Sequence, residues 1–285
     1  MKYLAAIEVP DEKKPLSPLT KSGKCRWKSL FSYYGGKSKL VAYYPSPKHD
    51  LLIEPFAGGG SYSLYYRERD VILNDLDDVT CSIWRFLLRP DALDVFNATV
   101  DMTKLVAGAR ISETIDPNAD PGLIRLLRAE ANQGTMGGKS TWDQITKRGE
   151  KFFPRLRAKM DFFLPKIRHW KLIQGDYRAL PNEKATWFVD PPYSNNAGSL
   201  YRHGASGIDF AELKTWCRER EGQTIICENE GATWETFKPL RTRLGFKSSY
   251  QKSEAMEVYC EKNSEITELP EPLAASAGSD QEQNR

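Results

Sequence analysis

The chain has 285 residues, of which 40% are hydrophobic and 28% charged, with a formal net charge of +3; that composition builds a folded core and excludes global disorder. No run approaches the roughly 18 apolar residues that cross a bilayer, and the opening MKYLAAIEVPDEKK meets acids too soon for a secretory signal. Five scattered cysteines without a CxxC pair, and three distant histidines (His49, His169, His203), argue against a disulfide framework and a metal site, and fit a reducing compartment.

In chain order, residues 1–24 mix prolines with lysines and serines and read as a flexible arm. Short apolar runs of strand type follow at 51–54, 71–73, 171–174, 186–189, 223–227 and 256–260. Helix-like segments at 61–67, 78–88, 209–220 and 233–240 separate several of them. This alternation predicts an α/β fold with a mostly parallel, covered sheet. The stretch 81–170 interrupts it with helix-like pieces at 122–131 and 151–163 around a Gly/Thr/Ser-rich loop at 132–141, and reads as an inserted, largely helical subdomain. Residues 263–285 read as a disordered acidic tail. The charge is unevenly spread: residues 121–171 hold 12 Lys/Arg against 4 Asp/Glu, and residues 1–50 hold 10 against 4. Positive charge concentrated in two segments suits a polyanionic partner, although a solvated helical face gives the same count.

Two motifs carry chemistry. At 51–61 an apolar strand runs into Glu54-Pro55-Phe56-Ala57-Gly58-Gly59-Gly60 and then a helix start expected to be capped by Ser61. The next strand ends at Asp75, where a carboxylate can accept hydrogen bonds from ribose hydroxyls. Strand, glycine turn, helix, strand and acid is the recipe for an adenosine-containing cofactor, and it does not separate a nicotinamide dinucleotide from S-adenosylmethionine. The second motif is Asp190-Pro191-Pro192-Tyr193, delivered at the end of the strand at 186–189. Prolines cannot donate backbone hydrogen bonds, so carbonyls are left as acceptors. An exocyclic amine has two hydrogens to give, one to the Asp190 carboxylate and one to the Pro191 carbonyl. Tyr193 offers an aromatic face for an extruded base.

With these residues the chain resembles the Dam-like DNA adenine-N6 methyltransferases. Phe31-Ser32-Tyr33-Tyr34-Gly35-Gly36-Lys37 looks like the family's N-terminal motif beside the cofactor's methionine end. Residues 54–60 look like its glycine loop, and Asp190-Pro191-Pro192-Tyr193 like its catalytic tetrapeptide. Asp75 matches the ribose-binding acid, and Gly175-Asp176-Tyr177 the acidic-aromatic pair at the adenine.

The resemblance implies a Rossmann-like methyltransferase sheet with helices on both faces and an inserted target-recognition subdomain at 81–170. The catalytic domain would be 25–80 plus 171–262. S-adenosylmethionine would be held by Tyr33, Tyr34, Gly35, Gly36, Lys37, Glu54, Pro55, Phe56, Gly58, Gly60, Ser61, Asp75, Asp176, Tyr177 and Asp190. Catalysis would fall to Asp190, Pro191, Pro192 and Tyr193, with no metal. Double-stranded DNA would meet Lys139, Lys147, Arg148 and Lys151, and a target adenine would flip out of the duplex. A cytoplasmic setting, in a prokaryotic cell or a phage-infected host, is implied, with no membrane and no obligate protein partner. The loop after Tyr193, with His203, is expected to close over the flipped base. The insertion departs most from the family, and Cys227-Glu228-Asn229 stands where the family often has Ser-Asn, so Glu228 receives no role.

Other readings are weighed on the same residues. Cytosine-N4 methylation uses the same amino-group chemistry but more often shows Ser-Pro-Pro-Tyr. Cytosine-C5 chemistry needs a Pro-Cys nucleophile, and no cysteine here follows a proline. Methylation of RNA or of protein glutamine uses a related tetrapeptide beginning with Asn. A nicotinamide-dependent dehydrogenase shares the glycine loop and Asp75 but gives no reason for Asp-Pro-Pro-Tyr. A catalytically silent DNA-binding relative would have no task for a carboxylate kept in the pocket.

Overall fold

Strand residues that alternate between two apolar environments build the centre of the molecule. In β1 (Leu51–Glu54), Leu52 joins one buried cluster and Ile53 the other. The same split recurs in β2 (Asp70–Asp75) and in β4 (Ala185–Val189), where Phe188 faces one way and Trp187 and Val189 the other. It recurs again in β5 (Gly222–Asn229) at Ile225 and Ile226. A sheet buried on both faces reads as near-continuous apolar runs, which is why these strands stand out in the sequence. A computed structural model describes residues 27–131, 143–194, 198–199, 201–240, 246–248, 251–255 and 257–263. The expected arm at 1–24, the loop at 132–141 with Lys139, and the expected tail from residue 264 on lie outside the described residues.

With β3 (Lys171–Gln174), β6 (Lys238–Pro239) and β9 (Glu257–Asn263), these strands form a seven-stranded sheet in the order β3-β2-β1-β4-β5-β9-β6. The first five strands are parallel, and β9 runs antiparallel to both β5 and β6. A separate hairpin joins β7 (Phe246–Ser248) to β8 (Gln251–Ala255). The order reverses between β1 and β4, and ligands of open α/β sheets bind outside the carboxyl ends of strands at such a point. Glu54 and Asp190, at the ends of those two strands, therefore sit where the topology opens a crevice.

Each face has its helices. Leu213, Trp216 and Cys217 of α7 (Phe210–Glu219) join Ile53, Trp187 and Ile226 on one face. The other face takes α2 (Asp78–Leu87), α5 (Pro121–Ala131) and α6 (Phe153–Ile167), whose apolar residues share one cluster with Leu52, Leu73 and Phe188. The helices of the inserted stretch thus pack into the same core as the sheet, and α2 runs across the expected boundary at residue 81. Two shorter helices, α3 (Ala92–Thr99) and α4 (Ile111–Thr114), lie in the same stretch. Among the described residues no helix is long and apolar enough to cross a membrane.

The helix expected at 233–240 does not form. Residues 231–237 turn, and Lys238–Pro239 is a short strand at the sheet's edge. Pro239 has no N–H to donate, so an edge position tolerates it and a helix interior does not. Ser61 also differs from expectation: it is the first residue of α1 (Ser61–Tyr65), and the N-cap is Gly60, which has no side chain to cap with.

The insertion meets the sheet's helices at Gly122. A Cβ there would lie 2.2 Å from the Ser82 carbonyl oxygen and 2.7 Å from Phe86 Cβ, both on α2. Only a residue without a side chain lets the two helices approach this closely. Gly122→Ala should therefore lower unfolding stability by about 1–3 kcal/mol, read from denaturant midpoints. A midpoint unchanged from wild type would show that α5 does not press on α2 in solution.

Candidate active site

The crevice at the switch point is an open cleft lined by residues from several segments of the chain. Three stretches distant in sequence build it: 33–37 before the sheet, 54–62 at the end of β1, and 175–178 after β3, with Asp75 and Asp190 closing the sides. Every residue named above for a cofactor lines it: Tyr33, Tyr34, Gly35, Gly36, Lys37, Glu54, Pro55, Phe56, Gly58, Gly60, Ser61, Asp75, Asp176, Tyr177 and Asp190. Pro192 lines it as well. Pro191 and Tyr193 are buried and are not among its lining residues.

The glycine turn is shaped by the aromatic rings against it. Gly58 and Gly60 have φ of 47° and 57°, a region that L side chains enter at a cost. A Cβ on Gly58 would meet the Tyr33 ring at 2.6 Å, and one on Gly60 would meet Trp84 at 2.7 Å. Trp84 Nε1 donates to the Gly58 carbonyl over 2.8 Å. The turn is thus clamped between the N-terminal motif and α2, leaving its backbone facing the cleft.

Asp75 secures the same turn. Its carboxyl accepts the Gly58 N–H at 2.8 Å and the Asp77 N–H at 2.9 Å. Burial pushes its pKa up to about 6, with those two hydrogen bonds and nearby His203 opposing the rise. Asp176 accepts the Arg178 N–H at 2.9 Å and pairs with the Arg178 guanidinium at 2.7 Å, which also grips Glu212. Tyr177 packs against Phe56 and Trp216, and its buried hydroxyl has no hydrogen-bond partner.

At the opposite end, Lys37 Nζ lies 2.8 Å from Asp190 Oδ1, and the lysine is only 4% exposed. The same ammonium donates to the Gly35 carbonyl at 3.0 Å and sits 4.7 Å from the centre of the Tyr193 ring. Burial raises the pKa of Asp190, while the Lys37 charge and hydrogen bonds from Lys37 and Tyr193 pull it back. Tyr193 is therefore not an open stacking face in this structure: its ring is buried and one side looks onto an ammonium. Residue type and spacing do not reveal this pairing, because it joins positions on two different elements.

The stretch after Tyr193 contributes more than expected. Tyr201, Arg202, His203, Gly204, Gly207 and Ile208 line the cleft itself. The Tyr201 hydroxyl donates to the Tyr34 carbonyl at 3.4 Å, and Arg202 pairs with Asp77 and Asp78 at the start of α2. Residues expected over a flipped base thus border the same cleft as the glycine turn, and their mixture of aromatic and cationic side chains is the signal that could have found them. Lys147, Arg148 and Lys151 are exposed. They follow residues 132–142 in the chain, across which Thr146 Oγ1 donates to the Ala131 carbonyl at 3.2 Å.

Residues 33–106 match the family model of the D12 class N6 adenine-specific DNA methyltransferases. That agrees with the Dam-like resemblance, and the family is one of enzymes. The matched segment holds Tyr33 through Lys37, the glycine turn and Asp75, and it ends before Asp190. The mixed seven-stranded sheet is compatible with a methyltransferase fold. No curated protein matches the chain.

Glu54 gives this cleft a pH signature. It is 2% exposed and accepts the Ser63 N–H at 2.7 Å. Burial lifts its pKa from 4.5 to about 8, the Ser63 hydrogen bonds opposing. Between those values the folded protein holds a proton that the unfolded chain has released, so stability falls as pH rises from 4.5 to 8. Asp75 adds a smaller fall that ends near pH 6. Glu54→Gln keeps the acceptor for Ser63 and removes the titration. It should gain on wild type progressively above pH 5, by on the order of 3 kcal/mol at pH 8. Denaturant unfolding from pH 5 to 8.5 measures this, and parallel curves for the two proteins would mean that Glu54 is not held neutral.

Proposed function

We propose that the protein is a site-specific DNA adenine-N6 methyltransferase that uses S-adenosylmethionine and acts on an adenine flipped out of double-stranded DNA. The observation that carries this reading is a single cleft into which the glycine turn, Asp75, the 33–37 motif and Asp190 all project.

The lining suits the cofactor. Phe56 and Tyr177 offer flat apolar surface for an adenine, and the unpartnered Tyr177 hydroxyl leaves a polar group to be satisfied there. The carboxyl of Asp75 keeps acceptor capacity for ribose hydroxyls beyond its two backbone partners. Residues 33–37 with Glu54 would hold the methionine end. When bound, S-adenosylmethionine supplies an electrophilic methyl group on a sulfonium that leaves as a neutral thioether.

The chain's own residues prepare the nucleophile. Asp190 accepts one hydrogen of the adenine amino group and the Pro191 carbonyl accepts the other, which draws the nitrogen lone pair out of conjugation. Lys37 holds Asp190 in place and favours its ionised, accepting form against the burial that opposes it. The surplus proton of the methylated amine leaves through Asp190 or directly to water, and no covalent enzyme intermediate is required. Positioning and electrostatics supply the acceleration. To stack a base, the Tyr193 ring would turn from its contact with Lys37.

Asp190→Ala should abolish methyl transfer per folded molecule, and it should also lower the melting temperature because it strands the buried Lys37 ammonium. Labelled S-adenosylmethionine, unmethylated DNA and mass spectrometry of the released nucleosides measure it. Label in N6-methyladenine that disappears in the variant supports the reading. Label in N4-methylcytosine keeps the mechanism and changes the base, and near-normal turnover by the variant sinks the mechanism.

The DNA contact is tested separately. Replacing Lys139, Lys147, Arg148 and Lys151 by glutamine should weaken DNA binding and flatten its salt dependence, by about 0.9 in log–log slope for each lost phosphate contact. Anisotropy titrations across a salt series read this slope. An unchanged slope would put the DNA surface elsewhere.

A further inference from the structure

Strand β5 outruns its neighbour. Val189, the last residue of β4, pairs with Ile226, and β5 continues through Cys227, Glu228 and Asn229 beside the tetrapeptide that follows β4. Glu228 is completely buried there, an unusual place for a carboxyl group unless it is fully engaged. Its Oε2 accepts the Ser194 N–H at 3.1 Å and the Trp234 indole N–H at 2.9 Å, and its Oε1 accepts the Asn229 N–H at 2.9 Å. Ser194 is the residue directly after Tyr193. Trp234 packs against Phe210, the first residue of α7, with ring centres 5.3 Å apart. One buried side chain thus holds the chain where the tetrapeptide ends, and through Trp234 it braces the start of the next helix.

The tetrapeptide is accordingly fixed from both ends. Lys37 holds Asp190 from the cleft side, and Glu228 holds Ser194 from the sheet side without lining the cleft. We infer that Glu228 is a positioning residue for methyl transfer, setting the placement of Asp190 and Tyr193 through the Ser194 backbone. This rests on the methyltransferase reading. Glu228 touches none of the groups proposed to bind the cofactor, so its loss should act on turnover and spare cofactor affinity.

The experiment uses the full chain, labelled S-adenosylmethionine and unmethylated plasmid DNA, with active sites counted by cofactor binding so that kcat is per folded molecule. Glu228→Ala leaves three N–H donors without their acceptor and should cut kcat on the order of 100-fold, the scale of an ångström-sized misplacement, with the cofactor dissociation constant within about threefold of wild type. Glu228→Gln retains one oxygen for Ser194 and Trp234 and should recover part of the loss, to within about tenfold of wild type. If the alanine variant does not fold, the glutamine variant decides: reduced kcat with unchanged cofactor affinity supports the role. A kcat per bound cofactor equal to wild type, or a loss matched by weakened cofactor binding, overturns it. Absence of methyl transfer by the wild-type protein in the same assay would instead overturn the methyltransferase reading.

Discussion

The ion pair between Lys37 and Asp190 is the contact on which the architecture of the site depends. Both groups are largely withdrawn from water, and a buried pair is weak as a source of stability but costly to break, because removing one partner strands the other charge. Its two members come from opposite ends of the fold's logic. Asp190 is placed by the sheet, at the end of a fully buried central strand. Lys37 is placed by a segment before the sheet, which must be docked accurately for its ammonium to reach the carboxylate.

That docking is supplied by α5 and α6. Glu130, buried near the end of α5, accepts hydrogen bonds from the Ser32 backbone N–H at 2.8 Å and from its hydroxyl at 3.2 Å. Lys159 of α6 approaches it at 3.9 Å and offsets part of the burial that raises the Glu130 pKa. Ser32 immediately precedes Tyr33, whose ring lies against the glycine turn. A continuous physical chain therefore runs from the helices of the insertion, through Ser32 and the 33–37 segment, to Asp190. This explains why the insertion shares one apolar core with the sheet: a loosely tethered module could not hold Ser32 to within a hydrogen bond.

Much of this was legible in the residues. β1 falls at its expected position because a strand in a covered sheet leaves an unbroken apolar run bounded by polar residues, while β3, also found where expected, is a largely exposed edge strand. The lining of the cleft was legible for a related reason: glycines, an acid after a strand and Asp-Pro-Pro-Tyr are local patterns, each tied to the end of one strand. What could not be read depends on partners brought together by the fold. Asp75 holds the glycine turn and Tyr193 is buried against Lys37, and neither pairing leaves a local trace. The helix expected at 233–240 is different in kind, because Pro239 stands within that span and Trp234 and Phe237 before it do not form a helical face. They belong to the second buried cluster instead, packed beside α7.

The charges around the cleft carry a further consequence. Glu54, Asp75, Asp77, Asp176 and Asp190 line it, against Lys37, Arg178 and Arg202. The cations are already committed: Lys37 to Asp190, Arg178 to Asp176 and Glu212, and Arg202 to Asp77 and Asp78. Among the described residues Glu54 and Asp75 are the lining carboxyls with no ion pair, and both have raised pKa values because burial disfavours their charged forms, against smaller opposing effects that include Lys37 and His203. A site with uncompensated carboxyls in low dielectric favours a positively charged guest, whose arrival supplies the missing counter-charge and stabilises the ionised forms. A sulfonium with its α-amino group is such a guest. On the proposed reading, the neutral thioether that replaces it would leave the same carboxyls with part of that compensation lost, so the electrostatics that favour binding a methyl donor would also favour releasing what it becomes.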